Sequence, residues 1–125
     1  MKIREALNLV DELKPNSVER ARKIGWLSDL DRRVFEDIFA LHEPDANTPA
    51  TFDGYTAETD EDTVLLVQDP DSEVYRWYLE MQIDLVNMEL AKHNNSLALF
   101  DNAYKDYSRA YNRKHKPICT TQFKY

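Results

Sequence analysis

Few side chains in this sequence are of the types that commonly bind metals or carry out catalysis. The run Asp60-Glu61-Asp62 could bind a divalent cation weakly through its carboxylate oxygens, but it lacks the spacing of a calcium-binding loop. Glu80 and Asp84 stand four residues apart, so a helix would place both carboxylates on one face. A helical hydrolase that holds magnesium between paired carboxylates needs a second such pair, and the sequence supplies none. These acids therefore predict no metal site.

The histidines and the single cysteine are the remaining candidates for proton transfer or nucleophilic attack. His42, His93 and His115 lie on separate predicted elements without a neighbouring metal ligand, so we expect surface or helix-capping roles for them. Cys119 lies in a polar tail and is expected to be an incidental thiol; a lone cysteine forms no internal disulfide, which favours an intracellular origin. We therefore predict no catalytic residue and no cofactor, and we do not expect an enzyme.

Composition narrows the class of protein further. A chain of 125 residues with 42% hydrophobic and 31% charged residues is typical of one folded domain with a modest core. No apolar run approaches the length of a membrane span, and the N-terminus lacks the apolar core of a signal peptide. The formal net charge of −7 repels phosphate, so we expect no specific nucleic-acid recognition by the body of the domain.

Apolar periodicity predicts an all-α domain of four helices. Apolar residues recur at three- and four-residue steps over about 3–13, 17–42, 72–93 and 96–114. Only Asn94-Asn95-Ser96 separates the last two, which predicts a long C-terminal antiparallel helix hairpin. The predicted core residues on these stripes are Leu27, Leu30, Val34, Ile38, Met81, Leu85, Leu97, Phe100 and Tyr104.

A long acidic loop is predicted between helices 2 and 3, over residues 44–71. It carries eight acidic residues and no Lys or Arg, and a loop of this length is uncommon in a compact domain unless it is functional or disordered. A solvated, mobile loop is one interpretation. Phe52, Tyr55 and the apolar run 64–67 indicate that parts of it are anchored, and the run 63–67 could also add a short strand to another subunit.

The C-terminal end of the chain has the opposite charge. From Lys105 onwards there are six Lys and Arg residues against one acid, Asp106. Cations at a helix C-terminus are favourable for the helix dipole, but an acidic loop and a basic end on one chain also favour head-to-tail contact between copies. The predicted contact residues are Asp60, Glu61, Asp62, Leu65, Leu66, Val67, Arg113, Lys114 and Lys116.

Several short motifs in a particular order carry a family resemblance. They include Ile3-Arg4-Glu5-Ala6, Lys14-Pro15, Trp26-Leu27, Leu30-Asp31, His42-Glu43, Phe52-Asp53-Gly54-Tyr55, Leu65-Leu66-Val67, Gln82-Ile83-Asp84, Asn94-Asn95-Ser96, Ala103-Tyr104 and Tyr111-Asn112-Arg113. In this order, the chain up to about Pro117 resembles small head–tail connector proteins, also called head-completion or adaptor proteins, of tailed bacteriophages and of prophages in Gram-positive bacteria.

The resemblance implies a structural protein of the virion, made in the host cytoplasm during assembly. It implies one helical connector-like domain over residues 1–117, with residues 118–125 forming a tail outside the family pattern. Its subunits would form a homo-oligomeric ring beneath the portal, with portal and tail-completion proteins as partners, although a monomer in isolation is also allowed. DNA would pass through the ring without being specifically bound, and no membrane is involved.

Two other classes stay open. One is a small helical protein-binding or regulatory module of prophage origin that acts without ring assembly. The other is an enzyme whose site the sequence does not reveal. Portal and capsid genes beside the gene for this chain would favour the connector, whereas specific metal binding by the acidic run would favour the enzyme.

Overall fold

The computed structural model describes residues 1–118, and within that range it contains four α-helices and no β-strand. Helix α1 spans Ile3–Leu13, α2 spans Arg20–Asp37, α3 spans Glu73–Val86 and α4 spans Leu90–Lys114. A 3-10 turn, Phe39–Leu41, follows α2. The predicted all-α class and the number of helices are confirmed. None of the helices in the described part has the length and apolar character needed to cross a bilayer.

The break between α3 and α4 lies earlier in the chain than predicted. Helix α3 ends at Val86, and Met88 adopts the left-handed conformation, with φ of +59°, that turns the chain into α4. The predicted turn, Asn94-Asn95-Ser96, lies inside α4. The polar run is tolerated there because Asn94 and Asn95 are exposed, while the Ser96 hydroxyl donates to Asp84 Oδ2 at 2.9 Å.

Helix α2 is shorter at both ends than the predicted 17–42. The Asn16 side chain accepts a hydrogen bond from the Val18 amide at 3.1 Å, which holds the chain in a turn before the helix begins. Glu19 takes the N-cap position, and the helix begins at Arg20. At the other end, Ile38 leaves the helix and the backbone tightens into the 3-10 turn. Helix α1 matches its prediction at both ends.

Helix α3 lies at the centre of the fold. It packs along α4, where the rings of Tyr78 and Phe100 lie 5.2 Å apart, and it also contacts α1 and α2. Tyr75, Leu79 and Ile83 are fully buried on this helix. Six of the predicted core residues are confirmed as buried: Leu27, Leu30, Val34, Ile38, Met81 and Phe100.

Two predicted core residues are wrong, and a third is only partly buried. Leu85 is 47% exposed and Leu97 is also exposed, whereas Tyr104 packs against the edge of the core. Two apolar stripes run side by side along the predicted third helix, one with Tyr78, Met81 and Leu85 and the other with Leu79 and Ile83. Both stripes contribute buried residues, and Leu85 is exposed because it lies in the last turn of α3.

Alanine substitutions at Leu79 and Leu85 should lower the free energy of unfolding by different amounts. Leu79→Ala should lower the free energy of unfolding by about 2–5 kcal/mol because it removes a fully buried side chain. Leu85→Ala should lower it by less than about 1 kcal/mol because much of that side chain is already in water. Urea denaturation measures the unfolding free energy of each variant, and equal losses would show that the assigned burial of Leu79 and exposure of Leu85 are incorrect.

Candidate functional site

A buried carboxylate anchors the connection between α2 and α3, which we call the α2–α3 connection (residues 42–72). Asp31 of α2 is fully buried, and its side chain accepts hydrogen bonds from the hydroxyls of Tyr55 and Tyr75, both at 2.6 Å. The Leu66 amide donates a third bond at 3.1 Å. The Tyr75 hydroxyl in turn accepts from the Val67 amide at 2.7 Å. Three separate points of the chain are thereby fixed to one side chain.

Burial changes the pKa values of the groups in this cluster. Burial raises the pKa of Asp31, and the bonds from Tyr55 and Tyr75 oppose only part of that effect. Burial, reinforced by the neighbouring carboxylate, raises the pKa of both tyrosines well above the ordinary value. Neither hydroxyl therefore gives up its proton near neutral pH, and both donate to Asp31.

The apolar run predicted to contact another subunit is used inside the chain. The Leu65 amide donates to the Met1 carbonyl at 2.8 Å, and the Ile3 amide donates to the Thr63 carbonyl at 3.0 Å. Leu65 and Val67 are buried, and only Leu66 keeps part of its surface. Leu65 and Val67 are therefore covered by their own chain, and within this run only the Leu65 amide bonds to the N-terminus.

The acidic run also has partners within the chain. Arg20 binds Glu61 with two nearly parallel hydrogen bonds of 2.7 and 2.8 Å, an arrangement that lowers the pKa of Glu61. Arg4 pairs with Asp62. The Asp60 side chain accepts only the Asp62 amide, at 2.9 Å, and forms no ion pair within residues 1–118. Of the three predicted acids, Asp60 alone keeps its charge uncompensated.

The basic residues at the end of α4 have few ion-pair partners within the described chain. Arg113, Lys114 and Lys116 are exposed, and none of them forms an ion pair with the described part of the chain. The structure does not bring residues 60–62 to this end, because those acids contact α1 and α2 instead. Cys119, with the rest of the predicted tail after Ile118, lies outside the described residues.

The pair Glu80 and Asp84 is compensated by basic side chains. Lys14 reaches the fully buried Asp84 from the end of α1, and Arg76 Nε lies 2.7 Å from Glu80 Oε2. Ser96 donates to the second oxygen of Asp84. Nowhere in residues 1–118 do three or more His, Cys, Asp or Glu side chains converge as metal ligands would. This carboxylate pair joins α1, α3 and α4 together.

A cavity of about 180 Å³ lies beside the C-terminal end of α4. Its charged lining comprises Asp45, Asp69, Asp71, Lys114 and His115. His115 Nε2 lies 2.7 Å from Asp45 Oδ2, and this hydrogen bond lowers the pKa of Asp45 to about 2. The sequence reasoning missed this cavity because its acids belong to two parts of the α2–α3 connection that meet only in the folded chain.

Aromatic rings form the other wall of the cavity. The His115 ring stacks on Tyr111 at 3.8 Å, and Phe39 stacks against the same tyrosine at 5.2 Å. The Tyr111 hydroxyl is buried and has no hydrogen-bond partner within residues 1–118; Thr48 lies nearby without reaching hydrogen-bond geometry. A buried hydroxyl without a partner is uncommon and marks a place where a further donor or acceptor would be favourable.

The end of the described chain holds this cavity in shape. The Glu43 amide donates to the Lys116 carbonyl at 2.8 Å, and the Ile118 amide donates to the Leu41 carbonyl at 2.9 Å. These bonds tie the segment after α4 to the segment after α2. The two helix ends that flank the cavity are therefore fixed relative to each other.

A second surface feature lies at the opposite end of α4. The α3–α4 tip, which we define as residues 85–90, exposes Leu85, Val86, Met88 and Leu90. Met88 is 83% exposed and Leu90 is 63% exposed. Neighbouring large apolar side chains left in water are typical of a protein–protein contact.

Comparisons of this chain with protein-family models, with curated proteins and with solved structures find no match.

The buried carboxylate cluster makes a prediction about stability. Tyr75→Phe should lower the free energy of unfolding by about 1–3 kcal/mol because it leaves the Asp31 carboxylate and the Val67 amide each short of one partner. Tyr78→Phe is the matched control, since the Tyr78 hydroxyl makes no hydrogen bond within residues 1–118. Chemical denaturation compares the two variants, and an equal, small effect would show that the cluster is not an anchor.

The pair of Asp45 and His115 makes a prediction about pH. The pKa of Asp45 is lower in the folded chain, at about 2, than the ordinary value of about 3.9, so its contribution to stability is present above about pH 4 and is lost as pH falls toward 2. Because Asp45 is exposed, the contribution should be under about 1 kcal/mol.

We therefore expect the difference in unfolding free energy between the parent and Asp45→Asn to shrink as pH falls from about 5 to about 2. Asp53→Asn serves as the control, because Asp53 forms no ion pair with the described residues. A difference that stays constant over this range would contradict the assigned pairing.

Proposed function

We propose that this chain is a structural subunit of a phage head–tail connector, which assembles as a ring beneath the portal. The order of motifs along residues 1–117 supports the proposal, as does the all-helical fold. Its partners would be further copies of itself, the portal and tail-completion proteins. Such a subunit works in the virion after assembly in the host cytoplasm, and it uses no cofactor and catalyses no reaction.

In this proposal α3 and α4 act as a rigid antiparallel hairpin that forms the body of the subunit. The contacts of Tyr78 with Phe100 and of Asp84 with Ser96 support this arrangement, since residues later in α4 meet residues earlier in α3. The α2–α3 connection would be the long acidic loop, held to the body by Asp31. A rigid subunit loses little conformational freedom when it enters a ring.

The observation that carries the proposal is the presence of unlike charges that have no partner within residues 1–118. Arg113, Lys114 and Lys116 are exposed cations of this kind, and Asp60 is an exposed anion. A second copy would supply the missing partners, and contacts between unlike surfaces close into rings when the rotation between subunits allows. Exposed ion pairs contribute only about 0–1 kcal/mol each, so they would set register while apolar contacts supply affinity.

Two further features fit the same role. The exposed apolar residues of the α3–α4 tip offer a contact for the portal or a tail protein. The net charge of −7 would let DNA slide through the ring, because like charge suppresses phosphate binding.

The α3–α4 tip also favours a second candidate, a small protein-binding or regulatory module of prophage origin that acts as a monomer. In that case the tip would bind a host protein, and the charges at the end of α4 would play no part in self-association. The two candidates differ in whether copies of the chain contact one another.

Charge reversal at the basic end tests the connector proposal. The double variant Arg113→Glu, Lys116→Glu should form rings less readily on the portal, because both cations would be replaced by anions. Added salt should weaken assembly of the parent partially. The control is Arg22→Glu, Arg33→Glu, which changes the net charge equally at exposed positions of α2.

Light scattering at rising concentration and electron microscopy with added portal protein would measure assembly. If the parent neither self-associates nor binds the portal under any of these conditions, the connector proposal is wrong. If the parent assembles and the reversed variant assembles equally well, the basic end is not the contact, whatever the role of the chain.

A further inference from the structure

The size of the cavity beside α4 limits what it can hold. At about 180 Å³ it is smaller than the sites of about 300–1,000 Å³ that take drug-sized ligands. It has room for several waters or for a single extended side chain. Because it opens at the protein surface between two charged segments, a side chain from another protein could enter it.

The lining of the cavity favours a guanidinium group. Asp69 and Asp71 provide carboxylates that His115 does not already bind, whereas Asp45 is engaged by that histidine. Phe39 and Tyr111 also line the cavity, but the Tyr111 ring is already stacked on Phe39 and on His115. A guanidinium binds carboxylates through two N–H groups at once, whereas an ammonium does not. The buried Tyr111 hydroxyl would also gain a nearby donor.

A stripe of basic side chains, two of them arginines, lies on the opposite face of the same helix. Lys105, Arg109 and Arg113 follow one another at four-residue steps, and all three are exposed. Residues 111 and 113 point about 200° apart around the axis at about 100° per residue, so this basic stripe faces away from the cavity. Arg109 has Asp106 at 3.8 Å, but Arg113 has no ion pair within the described residues.

This placement suits contact between adjacent copies in a ring. The cavity and Arg113 lie at the same level of α4 but on opposite sides. The Arg113 side chain therefore cannot enter the cavity of its own chain. Resting on the proposed connector function, we propose that the cavity of each copy receives the Arg113 side chain of the next copy, against Asp71 and Asp69. The contact is heterologous, and it repeats identically around a closed ring.

The contact differs from one made by the acidic run at residues 60–62. Glu61 and Asp62 are already bound by Arg20 and Arg4, and breaking those pairs would offset what a neighbour could provide. Lys114 lines the same cavity, but neither Asp69 nor Asp71 forms an ion pair with it or with any other cation among residues 1–118. A cation from another copy is therefore bound more favourably at the cavity than at the acidic run.

Complementary charge reversals give a direct test. Arg113→Asp alone would place an anion against Asp71 of the next copy, and Asp71→Arg alone would place two arginines together. Each single variant should therefore assemble at least about tenfold more weakly than the parent. A mixture of the two variants restores opposite charges at every contact, so alternating rings should form at near-parental concentration. Asp71→Arg, Arg113→Asp in one chain should do the same without requiring an even number of copies.

The control is Asp29→Arg, which reverses an exposed acid of α2 outside the cavity and should leave assembly unchanged. Thermal denaturation of each variant checks that it folds. Light scattering and electron microscopy with the portal protein follow assembly.

Single variants that assemble as well as the parent would overturn the inference, and so would a mixture and a double variant that both fail to recover assembly. In either case the parent still assembles, so the connector function survives. A parent that does not assemble at all overturns the function itself.

Discussion

A fully buried carboxylate in the middle of α2 is the constraint on which the rest of this structure depends. A charge removed from water without partners destabilises a protein by several kcal/mol, so Asp31 can remain buried only where donors surround it. Those donors come from Tyr55 and Leu66 of the α2–α3 connection and from Tyr75 of α3. A long acidic segment that would repel itself in isolation is thereby held against the helices.

The positions of the surface charges follow from that anchor. Once Leu66 is fixed to Asp31, the chain that follows carries Asp69 and Asp71 to the end of α4, where they face the cavity. The preceding part brings Glu61 next to Arg20, where its charge is compensated. The acidity of the connection is thus divided into a run that stabilises its own chain and a second group of acids that remains available to a partner.

Periodicity predicted the helices well and their ends poorly. Apolar spacing is a property of the helix itself, so α1 and the number of helices could be predicted from the sequence. The turn before α4 could not, because Asn94 and Asn95 are as compatible with an exposed helix face as with a turn, and Met88 carries no turn signal. The burial of Asp31 and the cavity also escaped prediction, since each depends on residues more than twenty positions apart that only the folded chain brings together.

Electron cryomicroscopy of the chain assembled on the portal is the measurement that tests the central claim most directly. We predict a closed ring in which each copy contacts the next through unlike surfaces, with Arg113 of one copy beside Asp71 of its neighbour. Copies that bind the portal singly, without touching each other, would contradict ring assembly. A closed ring in which the cavity faces solvent would preserve the connector and contradict the proposed contact.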